Sequence, residues 1–221
     1  MRFVTILIGI FFVLVSCTKF GKNMTVKGRV LNPITGEGIS NVPVIMYRST
    51  LDYPSGSKRV KETTTDSDGY FEISKASLSK CYLTCHTTDV GDYYPIGWEK
   101  KDDVPLFDAF TISVKKGKTM HADYYAVPYG SLTLNIKNTS CFNSFDNIKI
   151  YFDGGPYDSR TFNPGLMTSL DGCIDIPGSP VKSSMGYKYF HWEVTKNSVT
   201  TTYYDTVFVN EGLTTILNVN Y

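Results

Sequence analysis

The sequence predicts an all-β chain of two tandem sandwiches, and three observations carry that prediction. Apolar and polar residues alternate with period two over residues 26–30, 110–114, 132–136 and 148–152. That is the pattern of a strand with one face buried. The 221 residues include 16 Tyr, 18 Gly and 10 Pro, so β-forming rings and turn-formers dominate, and no stretch shows the 3.6-residue period of a helix. The chain also repeats itself. Asn41-Val42-Pro43-Val44-Ile45-Met46-Tyr47 matches Asn147-Ile148-Lys149-Ile150-Tyr151-Phe152, and Asp68-Gly69-Tyr70-Phe71-Glu72-Ile73 matches Asp171-Gly172-Cys173-Ile174-Asp175-Ile176. Lys116-Gly117-Lys118-Thr119 matches Glu211-Gly212-Leu213-Thr214. The three matches keep their order and lie roughly a hundred residues apart, as one fold used twice requires.

In chain order, residues 1–16 come first. Arg2 precedes an apolar run from Phe3 to Val15 broken only by Thr5 and Gly9, which has the form of a secretory signal peptide. The run is shorter than the ~20 residues a membrane span needs. Leu14-Val15-Ser16-Cys17 resembles the lipobox of bacterial lipoproteins. The resemblance implies that Cys17 becomes the first mature residue, carries acyl groups and holds the chain to a membrane. Residues 17–23 are then a short lipidated tether, reaching at most ~25 Å when extended. Surface-displayed lipoproteins of Bacteroidetes-like bacteria often carry an acidic run after this cysteine. Here the first acid is Glu37, which favours the periplasmic face of the outer membrane over the cell surface.

Residues 24–127 form the first predicted unit. Val26-Lys27-Gly28-Arg29-Val30, the turn Asn32-Pro33-Ile34-Thr35-Gly36-Glu37-Gly38-Ile39, Asn41-Val42-Pro43-Val44 and Thr65-Asp66-Ser67-Asp68-Gly69-Tyr70-Phe71 follow one another. Together they resemble the carboxypeptidase-regulatory-like domain. The resemblance implies a transthyretin-like (Ig-like) sandwich and a non-catalytic spacer, scaffold or binding role. Asp66-Ser67-Asp68-Gly69 reads as a hairpin turn into a strand that buries Phe71 and Ile73. Residues 128–221 form the second unit, which keeps the Asn-Ile and Asp-Gly elements but lacks Gly-x-Val in its first strand. The boundary is placed at Val127-Pro128-Tyr129-Gly130, between two strand patterns.

Little in the chain points to catalysis. The formal charge is +1 and falls to zero without Arg2, which removes the electrostatic case for a nucleic-acid partner. Asp66–Gly69 fails the EF-hand count, because Tyr70 and Phe71 stand where a ligand and a glycine belong. On a strand, Cys81 and Cys85 share a face but lie ~13 Å apart, too far for one zinc, so Cys81, Leu83 and Cys85 read as core. There is no nucleophile elbow and no histidine with a nearby acid and nucleophile. Asp102 with Asp103 reads as a pair of solvated loop acids. No metal or cofactor is expected.

Four cysteines remain beyond Cys17, allowing three connectivities. Cys141 with Cys173 is the best-placed pair, but four free thiols are preferred to it. The residues singled out for binding are aromatic: Tyr93, Tyr94 and Trp98 in a segment that reads as a loop, with a second cluster from Gly154 through Tyr157 to Phe162. Such rings either stack on a glycan or another envelope protein or cap the end of a sandwich, and the cap is preferred. The functional reading is a non-enzymatic envelope lipoprotein serving binding, scaffolding or assembly. The alternatives are a fimbrial-type structural subunit and an accessory or catalytic component of glycan hydrolysis.

Overall fold

A computed structural model describes residues 23–50, 56–77, 79–100, 110–157 and 165–221. Residues 1–16, Cys17 and the tether to residue 22 lie outside these, as do Asp102, Asp103 and Phe162. Fifteen strands and one short 3₁₀ turn make up the described chain. The first unit contains β1 (Asn23–Leu31), β2 (Pro43–Ser49), β3 (Ser57–Thr64), β4 (Tyr70–Ala76), β5 (Cys81–Cys85), β6 (Tyr93–Lys100) and β7 (Thr111–Val114). The long strand β8 (Thr119–Lys137) follows. The second unit contains β9 (Asn147–Gly154), β10 (Gly165–Asp171), β11 (Asp175–Ile176), β12 (Val181–Ser184), β13 (Gly186–Lys196), β14 (Val199–Val209) and β15 (Thr214–Asn220).

The two halves share one pairing scheme. In the first unit, β1 lies between β4 (antiparallel) and the first half of β8 (parallel). The facing sheet runs β3-β2-β5-β7. In the second unit, the latter half of β8 lies between β11 and β12 (antiparallel) and β15 (parallel). The facing sheet runs β10-β9-β13-β14. The first and last strands of each unit therefore pair in parallel. β6 pairs with β8 in the first unit only.

Each unit has its own core. Met24, Val26 and Val30 of β1, Val44 and Met46 of β2, Leu83 of β5 and Met120 and Tyr124 of β8 fill the first. Ile136, Ile148, Ile150, Phe190, Leu217 and Val219 fill the second. Even-numbered residues of β8 face the two cores, while Tyr125, Val127 and Tyr129 on its other face pack with Tyr94, Ile96, Ile34, Tyr157 and Met185 between the units.

Three expectations are corrected here. Val127-Pro128-Tyr129-Gly130 is not a gap between strands, because β8 runs through it. It is the place where β8 changes neighbours: β1 and β6 pair up to Tyr125 and Pro128, and β12 and β15 take over from Tyr129 and Ser131. Pro128 lacks a ladder donor and Gly130 lacks a Cβ, which would lie 2.0 Å from the Asn210 carbonyl oxygen. Both suit a handover.

The Asp66–Gly69 turn leads not into a hairpin but across the sandwich. β4 buries Phe71 and Ile73 yet pairs with β1, while β3 pairs with β2. The turn is held on the β1 side. Val30 N–H donates to Gly69 O at 2.8 Å, and the Arg29 guanidinium donates twice to Asp68 O at 2.9 and 3.0 Å. Asp66 Oδ1 accepts from Asp68 N and Tyr70 N, an Asx turn rather than a calcium loop. Gly28 of the Gly-x-Val element also has a physical reason, since a Cβ there would meet Ala122 O at 1.7 Å.

The preference for four free thiols is the third correction. Cys141 and Cys173 are joined, with Cα atoms 5.3 Å apart, while Cys81 and Cys85 are free and buried. The turn at Gly172 is drawn onto the preceding loop by Gly172 N–H donating to Asp146 O at 2.6 Å, a contact invisible in the cysteine spacing. The bond closes a sequence separation of 32 residues, which on the chain-entropy account is worth about 3–4 kcal/mol. Reduction should therefore lower the stability of the second unit by that order, read as a drop in Tm with dithiothreitol. An unchanged Tm would contradict it.

Candidate functional site

The residues predicted as a binding loop do not form one. Tyr93, Tyr94 and Trp98 lie on β6, paired antiparallel to β8, with a register shift between Pro95 and Gly97. Pro95 and Gly97 mark this irregularity, which an edge strand tolerates. Trp98 is 0% exposed and Tyr94 4%. The Trp98 ring meets Phe71 and Tyr124 edge-on, at centroid distances of 6.0 and 5.0 Å, and its N–H donates to Phe110 O at 3.1 Å. Tyr94 packs edge-on to Tyr129 at 6.1 Å, and Tyr93 is half-buried against the first core. Trp98 and Tyr94 are structural, so Trp98→Ala should destabilise the chain by about 3–5 kcal/mol, measured by urea unfolding; a loss below about 1 kcal/mol would contradict this packing.

Cys81 and Cys85 face inward with Leu83 from β5. Burial pushes the Cys85 thiol up, away from the thiolate that reactivity requires. Among the described residues, no three His, Cys, Asp or Glu side chains gather into a metal-binding group. No helix among them is long and apolar enough to cross a membrane.

Asp146 is the one fully buried acid among the described residues, and it organises the loop that follows β8. Its Oδ2 accepts from Phe142 N at 2.9 Å and Asn138 Nδ2 at 3.0 Å, with Lys196 Nζ 4.0 Å away. The Phe142 N–H foremost, then the Asn138 amide, hold its carboxyl below the usual carboxylate range against the opposing effect of burial. A depressed acid stabilises the fold above its unfolded value, ~4, and that contribution is lost as pH falls through the lower folded value. Stability should therefore drop below about pH 4, and Asp146→Asn should flatten that acid limb in urea titrations; an unaltered limb would contradict the assignment.

The exposed aromatic surface lies elsewhere, on the outer face of the β10-β9-β13-β14 sheet. β13 reads Tyr187-Lys188-Tyr189-Phe190-His191-Trp192-Glu193-Val194, and its even-numbered Phe190, Trp192 and Val194 are buried in the second core. The odd residues Tyr187, Tyr189, His191 and Glu193 point outward. Leu166, Tyr151, His191 and Tyr204 stand in cross-strand register through all four strands. Tyr151 and His191 stack at 4.4 Å with an interplanar angle of 4°, and Tyr204 lies 5.8 Å from His191. His191 Nδ1 contacts the Asp153 carboxylate at 2.8 Å. The Tyr151 hydroxyl donates to Glu193 Oε2 at 3.2 Å, and partial burial first, then Glu193, raises its pKa. Tyr187 packs edge-on to Phe208 at 4.9 Å. Tyr204 is 77% exposed, Leu166 55%, Tyr187 52%.

Sequence reasoning missed this face because both sides of β13 carry rings, so alternation alone does not say which side is buried. The only signal was the density of tyrosine at odd positions of β13. Beneath the same sheet is a cavity of about 230 Å³, lined by Leu132, Leu134, Phe152, Met167 and Phe190. Lys188 borders it and donates to Ser184 Oγ at 2.9 Å.

No family profile and no curated protein matches the chain. Solved structures do resemble it. One is a DUF3823 family protein from Bacteroides uniformis, 11% identical with a TM-score of 0.34, covering 85% of this chain and 100% of that one. Another is GBS52, the minor pilin of Streptococcus agalactiae, 10% identical with a TM-score of 0.35, covering 89% and 94%. A third is the shaft pilin SpaA from Lactobacillus rhamnosus GG, 8% identical with a TM-score of 0.29, covering 90% and 97%. At these scores they carry no argument about activity or partners. The resemblance to the carboxypeptidase-regulatory-like domain rests on the residues of the first unit alone.

Proposed function

We propose that this chain is a non-enzymatic, lipid-anchored module of a bacterial cell envelope that holds a protein partner on the outer face of its second unit. The observation that carries the reading is the exposed row Leu166, Tyr151, His191 and Tyr204, flanked by Tyr187 and Tyr189, on a sheet face that no other described sheet covers. Tyrosines offer large contact area and a hydrogen-bonding tip at low entropic cost, the composition of protein-binding surfaces. The stacking of Tyr151 on His191 commits one face of each ring, and Glu193 holds the Tyr151 hydroxyl. The row runs across four strands from Leu166 to Tyr204 and mixes aliphatic with aromatic contacts, a breadth that suits a protein partner better than a glycan. The anchor is read from Leu14-Val15-Ser16-Cys17, with the periplasmic face favoured by the lack of acid before Glu37.

Two measurements test this. Cys17→Ala should move the chain from the detergent-extractable membrane fraction to the soluble fraction; a soluble wild-type chain would overturn the anchor. The double variant Tyr187→Ser and Tyr189→Ser should lower Tm by only the few degrees that the Tyr187–Phe208 contact is worth, but weaken retention of a cross-linked envelope partner about 30-fold or more, the effect of losing one hot spot. Unchanged retention would overturn the binding face.

A further inference from the structure

We propose that β14 is a pairing edge for a second copy of this chain. The two β14 strands join antiparallel about a two-fold axis through Tyr203, merging two second-unit sheets into one. This goes beyond the aromatic face and does not depend on what that face holds.

β14 is the last strand of its sheet among the described strands. Residues 199–206 are exposed without interruption, on both faces, so β14 lies at the rim, outside the core that its partner β13 enters through Phe190, Trp192 and Val194. It closes through Asn197 and Ser198, both at positive φ (46° and 62°), the two-residue turn that matches strand twist. All eleven residues of β14 pair with β13 without a register shift. An edge of this length and regularity presents unpaired backbone groups to any incoming strand.

Most other edges of the chain are protected. β3 carries Lys58, Arg59, Lys61 and Glu62 and is bulged against β2. β10 and β6 contain register shifts, β4 carries Glu72 and Lys75, and β7 and β12 have four residues each. β14 has no Pro, no Lys and a single charge, Asp205. β15 also lacks charge, but it alternates into the core through Leu217 and Val219, and its Thr215 hydroxyl donates to Phe208 O of β14.

The strand is close to a palindrome, and this selects a second copy over an unrelated peptide. Val199-Thr200-Thr201-Thr202-Tyr203-Tyr204-Asp205-Thr206-Val207, set antiparallel to itself about Tyr203, places Val199 opposite Val207, Thr200 opposite Thr206 and Thr201 opposite Asp205. Thr202 then faces Tyr204, and Tyr203 faces its own copy. No like charges meet, and apart from Thr201 with Asp205 the pairs are Thr–Thr, Thr–Tyr, Tyr–Tyr and Val–Val, of the kinds that stabilise sheets. The backbone agrees. Thr206 N–H donates to the adjacent Asp205 carboxylate at 2.7 Å, so it points away from β13. By alternation so do the N–H groups of Tyr204, Thr202 and Thr200. Thr202 with Tyr204 would then be a hydrogen-bonded pair, Thr200 with Thr206 another once the Thr206 N–H exchanges Asp205 for the incoming carbonyl, and Tyr203 with its copy a non-hydrogen-bonded pair about 4.5 Å apart at Cα.

That spacing lies within disulfide range, so register can be read by cross-linking the full chain in native envelopes with copper phenanthroline as oxidant. Tyr203→Cys should form a covalent dimer as the main product on a non-reducing gel. Thr202→Cys and Tyr204→Cys should each form about a tenth as much alone, because each would face a different residue of its copy. Co-expressed, they should cross-link to one another. Thr202→Pro removes an outward N–H that β13 does not use and is tolerated on an edge strand, so the detergent-extracted chain should still unfold cooperatively, with a Tm that no longer rises with protein concentration, and sediment as a monomer where the wild type sediments as a dimer. The proposal is overturned by a monomeric wild type, by equal cross-linking at Tyr203 and at the exposed turn variant Leu213→Cys, or by dimers that form through Ile216→Cys on β15 instead.

Discussion

The structure depends on one strand that belongs to two sandwiches. β8 is nineteen residues long, a reach of ~60 Å at ~3.3 Å per residue. Its first half closes the first unit by pairing in parallel with β1, and its second half opens the second unit by pairing in parallel with β15. Continuous backbone hydrogen bonding therefore passes from one unit to the other, in place of the flexible linker that usually separates domains. The change of partners at Val127-Pro128-Tyr129-Gly130 is reinforced by contacts that cross it. Met185 N–H donates to Pro128 O at 2.9 Å, and Lys182 pairs with Asp92 at 2.5 Å while lying over the Tyr129 ring at 4.1 Å.

The shared strand also sorts the aromatic residues. In the first unit β6 adds to β8 and brings Tyr94 and Trp98 inward, where Trp98 joins Phe71 and Tyr124. In the second unit no described strand takes the place of β6, and the facing sheet carries rings on both sides of β13. Its inner rings, Phe190 and Trp192, complete the core. Its outer rings are left to solvent. The same residue types thus stabilise the first unit and supply a surface on the second.

Much of the fold was legible in residues 26–30, 132–136 and 148–152, because alternation with period two is a local property that burial on one face imposes. The repeat was legible too. Asn41 precedes β2 and Asn147 opens β9, and the two Asp-Gly turns precede β4 and β11, the strands that pair with each unit's first strand. Sheet membership was not legible. The Asp66–Gly69 turn has the composition of a hairpin, yet β4 pairs with β1, and Arg29 and Val30 hold the turn on that side. The site was scarcely legible, since Trp98 beside Pro95 and Gly97 has the composition of a loop, and a strand such as β13 with rings on both faces gives no sign of which side is outward.

The sequence by itself determined the all-β class, the strands that alternate with period two, the two-fold repetition and the best-placed cysteine pair, because these follow from side-chain alternation, turn chemistry and spacing along the chain. Only the tertiary structure decided that the two units share β8, that Trp98 is core, that Cys141 bonds Cys173, and that Tyr187, Tyr189 and Tyr204 face solvent. Those outcomes depend on which strands become neighbours, and neighbours distant in sequence are chosen by the burial of whole faces rather than by any local pattern.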